Sequence, residues 1–202
     1  MSIIEIIRDI FIDHREKVVP IFLPLDLTEH YSKELWDHSL DAIYIATKYS
    51  EIVDVLTRYK YHSEREHVDL FVDLLSKIVD LYNIKDEIDT VIIPVPMHWS
   101  RYMMRGFDHT HSIVSHLSKK TEIPYEILLR TRWTRHQSKL SREKRLENKK
   151  NTFKMKHRES IPHTIILFDD VISSWSTAHE CAKVLKEAWV QKVIWIFLAS
   201  NI

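Results

Sequence analysis

Glycine is nearly absent from this chain, with 1 in 202 residues, where ordinary usage near 7% would supply about 14. Glycine serves left-handed turns and loops that press against a phosphate, so its scarcity is awkward for any nucleotide-handling fold. Cysteine is as scarce. Cys181 stands alone, which excludes a four-thiolate zinc site by count. A single cysteine inside a predicted helix fits a reducing compartment and a buried, small apolar role. No run approaches the ~18 apolar residues of a membrane span. The start, Met1 to Asp9, lacks a basic region followed by a long apolar one, so the chain is expected to be cytoplasmic.

What is present is a strongly patterned centre. Ile165 to Phe168 form an uninterrupted apolar run, the mark of a parallel strand buried on both faces. The run ends in Asp169 and Asp170 and then breaks into Ser173, Ser174, Ser176 and Thr177. Thr177-Ala-His-Glu180 has capping-box spacing, which predicts a helix through Ala182, Leu185 and Ala188. Strand, tight loop and helix start in that order put unpaired backbone N–H groups at the carboxyl end of a sheet, where an anion is held. The four hydroxyls add donors, and the two carboxylates suit sugar hydroxyls or a hydrated Mg²⁺. The stretch therefore suits a phosphorylated sugar.

Asp-Asp-Val-Ile-Ser-Ser-Trp-Ser-Thr resembles the motif by which type I phosphoribosyltransferases bind phosphoribosyl diphosphate (PRPP): two acids, then a Thr/Ser-rich loop with a central glycine. Upstream, Ile93-Pro-Val-Pro-Met-His98 and Arg105-Gly-Phe-Asp-His109 are similar to signatures of the ComF (competence protein F) branch of that family. Arg135-His-Gln137, Leu140-Ser-Arg142, Arg145, Asn148 and Phe153 follow its pattern in order. Ordered motifs over roughly residues 40 to 202 are far more specific than any single one.

The resemblance implies a doubly wound α/β sheet, mainly parallel, with a hood or flexible loop. Residues 1–39 are then an N-terminal helix and linker, and 40–202 the phosphoribosyltransferase-like domain. Asp169 and Asp170 would hold ribose hydroxyls and, at one remove, Mg²⁺. Ser173, Ser174, Ser176 and Thr177 would hold the 5′-phosphate, Arg101 and Arg105 the leaving diphosphate, and Arg142 and Arg145 would lie on the closing loop. Arginine's planar fork suits diphosphate oxygens, and Gly106 would let backbone approach the ligand. The family also implies a link to competence and DNA uptake, and transferase activity if an acceptor exists. The family's usual cysteine-rich zinc module is read as lost.

Two tryptophans, of 6 in the chain, fall where glycine is wanted. Trp175 occupies the position of the family's phosphate-loop glycine. Trp189 follows Leu-Lys-Glu-Ala, where a helix ordinarily stops on glycine. Two readings stand level: some tryptophans are glycines decoded through the wrong genetic code, since certain bacteria assign UGA to glycine, or the chain is a diverged member that lost the loop.

Along the chain, Leu40 to Tyr49 and Thr90 to Pro96 predict strands, Glu51 to Tyr61, Glu64 to Tyr82 and Phe107 to Lys119 helices, Pro124 to Leu129 a third strand, and Val193 to Leu198 the last. Lys60 is a weak diphosphate candidate and more simply a surface lysine. His109 and His111, two residues apart, do not share a helix face and make a poor metal pair. Charge is balanced overall but not locally. Residues 1–90 carry 10 Lys/Arg against 19 Asp/Glu, and residues 130–158 carry 12 against 2. That basic segment supports a second reading, a non-catalytic module binding a nucleotide or single-stranded DNA.

Overall fold

A computed structural model describes residues 24–29, 39–61, 64–97, 102–103, 105–131, 153–172 and 175–200. The expected N-terminal helix and much of the basic segment lie outside them, as do Arg101, Arg142, Arg145, Ser173 and Ser174.

Five strands form one sheet. β1 (Leu25–Asp26) pairs antiparallel with β2 (Ala42–Lys48), and β2, β7 (Lys192–Ser200), β6 (Thr164–Ile172) and β3 (Thr90–Pro94) run parallel in that order. Helices α1 (Tyr49–Tyr61) and α2 (Val68–Leu81) connect β2 to β3. The helix α3 (His109–Thr121) lies between β3 and β6, and α4 (Trp175–Glu187) between β6 and β7. Because side chains alternate across a strand, each buried strand feeds two cores. Ile166 and Phe168 join Ile52, Leu56, Phe71 and Leu117 under α1, α2 and α3. Their neighbours Ile165 and Leu167 join Cys181, Ala182 and Leu185 under α4. Helices cover both faces, so the doubly wound α/β reading holds.

Three local expectations differ from the structure. The stretch from Pro124 is not a strand of the sheet: Tyr125 makes a single bridge to Ile92, through Ile92 N–H to the Pro124 carbonyl (2.8 Å) and Glu126 N–H to the Ile92 carbonyl (3.0 Å). Instead β4 (Leu129–Thr131) and β5 (Phe153–Met155) form a separate antiparallel ribbon. Proline has no N–H to donate, which helps keep the contact with β3 this short. β6 continues through both acids to Ile172, carried by pairing with β7 as far as Ser200. The helix after it opens at Trp175, two residues before the capping-box threonine.

Glycine poverty has visible consequences. Asn83, Asp89, Glu122 and Trp189 all adopt positive φ. Asparagine and aspartate tolerate this region, but a bulky residue there is an outlier. Trp189, at φ +71°, closes α4: its N–H donates to the Lys186 carbonyl (2.9 Å) and Val190 N–H to the Leu185 carbonyl (3.1 Å). This is the Schellman arrangement, with tryptophan in the residue position that favours glycine. Its side chain packs little, the residue being 81% exposed.

Candidate functional site

Adjacent strands β3 and β6 send their chains to opposite faces, β3 to α3 and β6 to α4. In an open α/β sheet such a reversal leaves a crevice beyond the carboxyl ends of the two strands, the usual place for a ligand. β3 ends opposite Phe168, where Val95 N–H still donates to the Phe168 carbonyl (2.8 Å). Asp169 and Asp170 therefore stand on the part of β6 that runs past its neighbour on the β3 side.

Alternation separates the two acids. Asp170 shares the face of Ile166 and Phe168, toward α1 and α3. Asp169 falls on the α4 face, where burial first and its negative charge second push the Cys181 thiol pKa well up. One Asp169 carboxylate oxygen also accepts the Asp170 backbone N–H (2.8 Å).

Asp170 is the centre of a charged network. Its Oδ2 meets Lys60 Nζ at 2.5 Å and accepts from His109 Nε2. The side chains of Lys60 and Asp170 are only 12% and 13% exposed, so Lys60 is not the surface lysine its sequence context suggests. Arg105 extends the network outward, with Nη1 3.1 Å from His109 Nδ1 and Nη2 donating to the Tyr61 hydroxyl (3.0 Å). Its guanidinium also lies over the Tyr61 ring, 5.0 Å from the centroid.

These partners assign the histidine tautomer. A guanidinium only donates, so Nδ1 must accept, and the proton sits on Nε2, where it meets the carboxylate. Arg105 Nη1 also lies 3.4 Å from Nε2, but that atom already faces Asp170. A neutral imidazole agrees with the direction of its pKa: burial pushes it down, and Lys60 and Arg105 add to this against the opposing pull of Asp170. Burial alone would raise the Asp170 pKa, but the His109 hydrogen bond and the Lys60 charge outweigh it and hold the carboxyl below its ordinary range.

The sequence elements that build the network are short. Lys60 and Tyr61 are the last two residues of α1. Arg105 precedes Gly106, whose φ of +73° ends a turn closed by Gly106 N–H on the Tyr102 carbonyl (2.8 Å). An added Cβ at Gly106 would meet no protein atom within 4 Å, so within the described chain it is the backbone angle that favours glycine here. Asp108 then caps α3, accepting the His111 N–H (3.0 Å). Arg105 and His109 are four residues apart and converge.

Of the expected site residues, the structure brings Arg105 and Asp170 together through His109 and sets Gly106 beside them. Thr177 lies half-buried in the first turn of α4. The Ser176 side chain lies outside the described residues, with Ser173, Ser174, Arg101, Arg142 and Arg145. His109 and Lys60 were the residues sequence reasoning undervalued. The available signal was physical: a carboxylate at the end of a buried strand requires donors.

For Mg²⁺, direct ligation fits poorly. Asp169 and Asp170 face apart, and an ammonium already sits against Asp170 Oδ2.

Fold and site define a doubly wound α/β protein with a charged network at the carboxyl edge of its sheet. No protein-family model matches the chain. It is 33% identical over 109 residues to competence protein F of Haemophilus influenzae, covering 52% of this chain and 48% of that protein. It is 29% identical over 140 residues to competence protein ComFC of Streptococcus pneumoniae, 69% and 59% of the two chains. It is also 34% identical over 96 residues to the DNA utilization protein YhgH of Escherichia coli O157:H7, 46% and 42%. The chain thus spans about half the length of the curated relatives it matches. These similarities support assignment of the chain to the ComF family. Among the described residues no helix is long and apolar enough to cross a membrane.

Proposed function

We propose that the chain is a ComF-like protein of DNA uptake or utilisation whose crevice binds PRPP or a related phosphorylated ribose. The observation that carries this reading is the position of the Asp170 network. A carboxylate is braced at the end of β6, beside an arginine and a helix start, at the point where the sheet reverses. In this reading Arg105 turns its fork to the diphosphate, with Arg101 beside it. Thr177, Ser173, Ser174 and Ser176 take the 5′-phosphate, the ribose sits at the end of β6 with Asp169 and Asp170 on opposite sides of the strand, and Arg142 and Arg145 close over the ligand. The bond open to reaction is C1 to diphosphate, which breaks toward an oxocarbenium ion. The chain's contribution is then to position charge and to exclude water. Magnesium belongs to this reading as the counter-ion of the diphosphate itself, with no residue assigned to it directly.

Calorimetric titration of Mg·PRPP into the chain and into Trp175→Gly tests the proposal. Binding by either protein, weakened in Arg105→Ala, supports it. If neither binds, the sugar-phosphate reading is lost.

A specific observation favours a second reading. Arg130 and Lys154 are direct cross-strand partners on the β4–β5 ribbon, and both are exposed, as is Lys156. Like charges placed opposite one another are unfavourable, and a polyanion would relieve them. Single-stranded DNA binding with a steep salt dependence, flattened in an Arg130→Ala/Lys154→Ala variant, is the expected signature.

A further inference from the structure

We propose that Lys60 is the resident counter-cation of this site, seated against Asp170 where a divalent metal would otherwise ligate. The Lys60 Nζ to Asp170 Oδ2 separation of 2.5 Å leaves no room for a second cation on that oxygen. His109 supplies a further donor to the same oxygen, so the carboxylate is neutralised and hydrogen-bonded by the chain itself. Lys60 reaches it from the last turn of α1, and His109 from the first turn of α3. Two helices are thereby tied to the end of β6 by one oxygen atom.

An ammonium differs from a metal in what it demands. Mg²⁺ wants a near-octahedral oxygen shell and keeps most of its waters, whereas lysine needs only a donor direction and a dry stem. A site built on Lys60 is complete before ligand arrives. Its charge does not depend on the metal supply, and any metal would come chelated by the ligand's own phosphates. Lys60 is thus a positioning residue: it acts on ligand through Asp170. The inference takes its meaning from the sugar-phosphate reading but is testable without it.

The first test uses Mn²⁺ alone, a paramagnetic ion with the same preference for carboxylate and water ligands as Mg²⁺. Free Mn²⁺ is followed by electron paramagnetic resonance with the wild-type chain, Lys60→Met, and Lys60→Met/Asp170→Asn. Lys60→Met should gain Mn²⁺ affinity by on the order of tenfold or more, the effect of removing a like charge at contact distance. The double variant should lose that gain. Wild-type binding as tight as that of folded Lys60→Met would overturn the proposal, as would no gain at all.

A second measurement does not depend on any variant folding. Under brief reductive methylation read by peptide mass spectrometry, Lys60 of the wild-type chain should be modified far more slowly than the exposed Lys85. Equal rates would overturn the assignment. Ribose 5-phosphate titrated with and without a chelator separates this inference from the reading it deepens. Binding indifferent to the chelator agrees with both, and binding abolished by it counts against the resident cation. If the sugar phosphate does not bind at all while the Mn²⁺ and methylation results hold, the ligand reading falls and Lys60 keeps its place.

Discussion

Replacing Trp189 with glycine should stabilise the protein, against the usual direction of core or cap substitutions. An L-residue in left-handed backbone costs about 1–2 kcal/mol, and Trp189 sits there at φ +71°. The indole offers little to set against that cost, since the residue is 81% exposed. Glycine gives back roughly 0.5–1 kcal/mol through the greater freedom of the unfolded chain. The net gain is about 1 kcal/mol, which for a domain of this size raises Tm by about 2–4 °C. The hydrogen bonds of the backbone at residue 189 are open to either side chain, including the one its carbonyl accepts from the side-chain Nε2 of Gln191 (2.9 Å). Urea and thermal unfolding of the wild-type chain, Trp189→Gly and Trp189→Ala measure the effect. Alanine removes the indole but keeps Cβ, so it should show no comparable gain. A glycine variant no more stable than wild type, or an alanine variant equally stabilised, would refute the reasoning. Confirmation would bear directly on decoding. The same position read from the gene should carry UGA, and a peptide from the natural host should have the mass of glycine there; a UGG codon at 189 or 175 rules this out for that residue.

Four further outcomes follow from the network and core. Lys60→Ala should destabilise by about 3–5 kcal/mol, the cost of leaving a buried charge without its partner, with Lys60→Arg closer to wild type in urea unfolding. The depressed His109 pKa makes the unfolded state bind more protons than the native one below about pH 6.5. Stability should therefore fall as pH drops through that value, and the fall should be shallower in His109→Gln. The Asp170 pKa is also lowered, so its contribution persists at neutral pH and is lost only in strong acid, as the pH falls below about 4 and through its native value. Cys181 is fully buried with its thiol pushed up. It should react with a thiol reagent only at the rate of unfolding.

The parts of this fold legible in the sequence were those where a local pattern has only one way to be buried. Ile165 to Phe168 and Val193 to Leu198 are too apolar for anything but central strands, and Val68 to Leu81 keeps its apolar residues at helical spacing. The Trp189 helix end was legible because the Schellman motif asks for a particular backbone angle. What was not legible depended on distant pairing. The partner of Asp170 on α3 is 61 residues away, and nothing local to Lys60 or His109 distinguishes a buried donor from a surface one. The ribbon escaped notice because its strands are three residues each, too short to display a period. The extension of β6 past its apolar run was invisible for a related reason: it is held by β7 and not by its own composition.

The alternation within β6 divides labour between two residues that are covalent neighbours. Asp169 belongs to the compartment of α4, and Asp170 to that of α1 and α3, with the strand as partition. A substitution in one compartment can therefore abolish its contribution while leaving the other intact. Shifting the strand by one residue would do the opposite, exchanging the two acids and spoiling both halves at once.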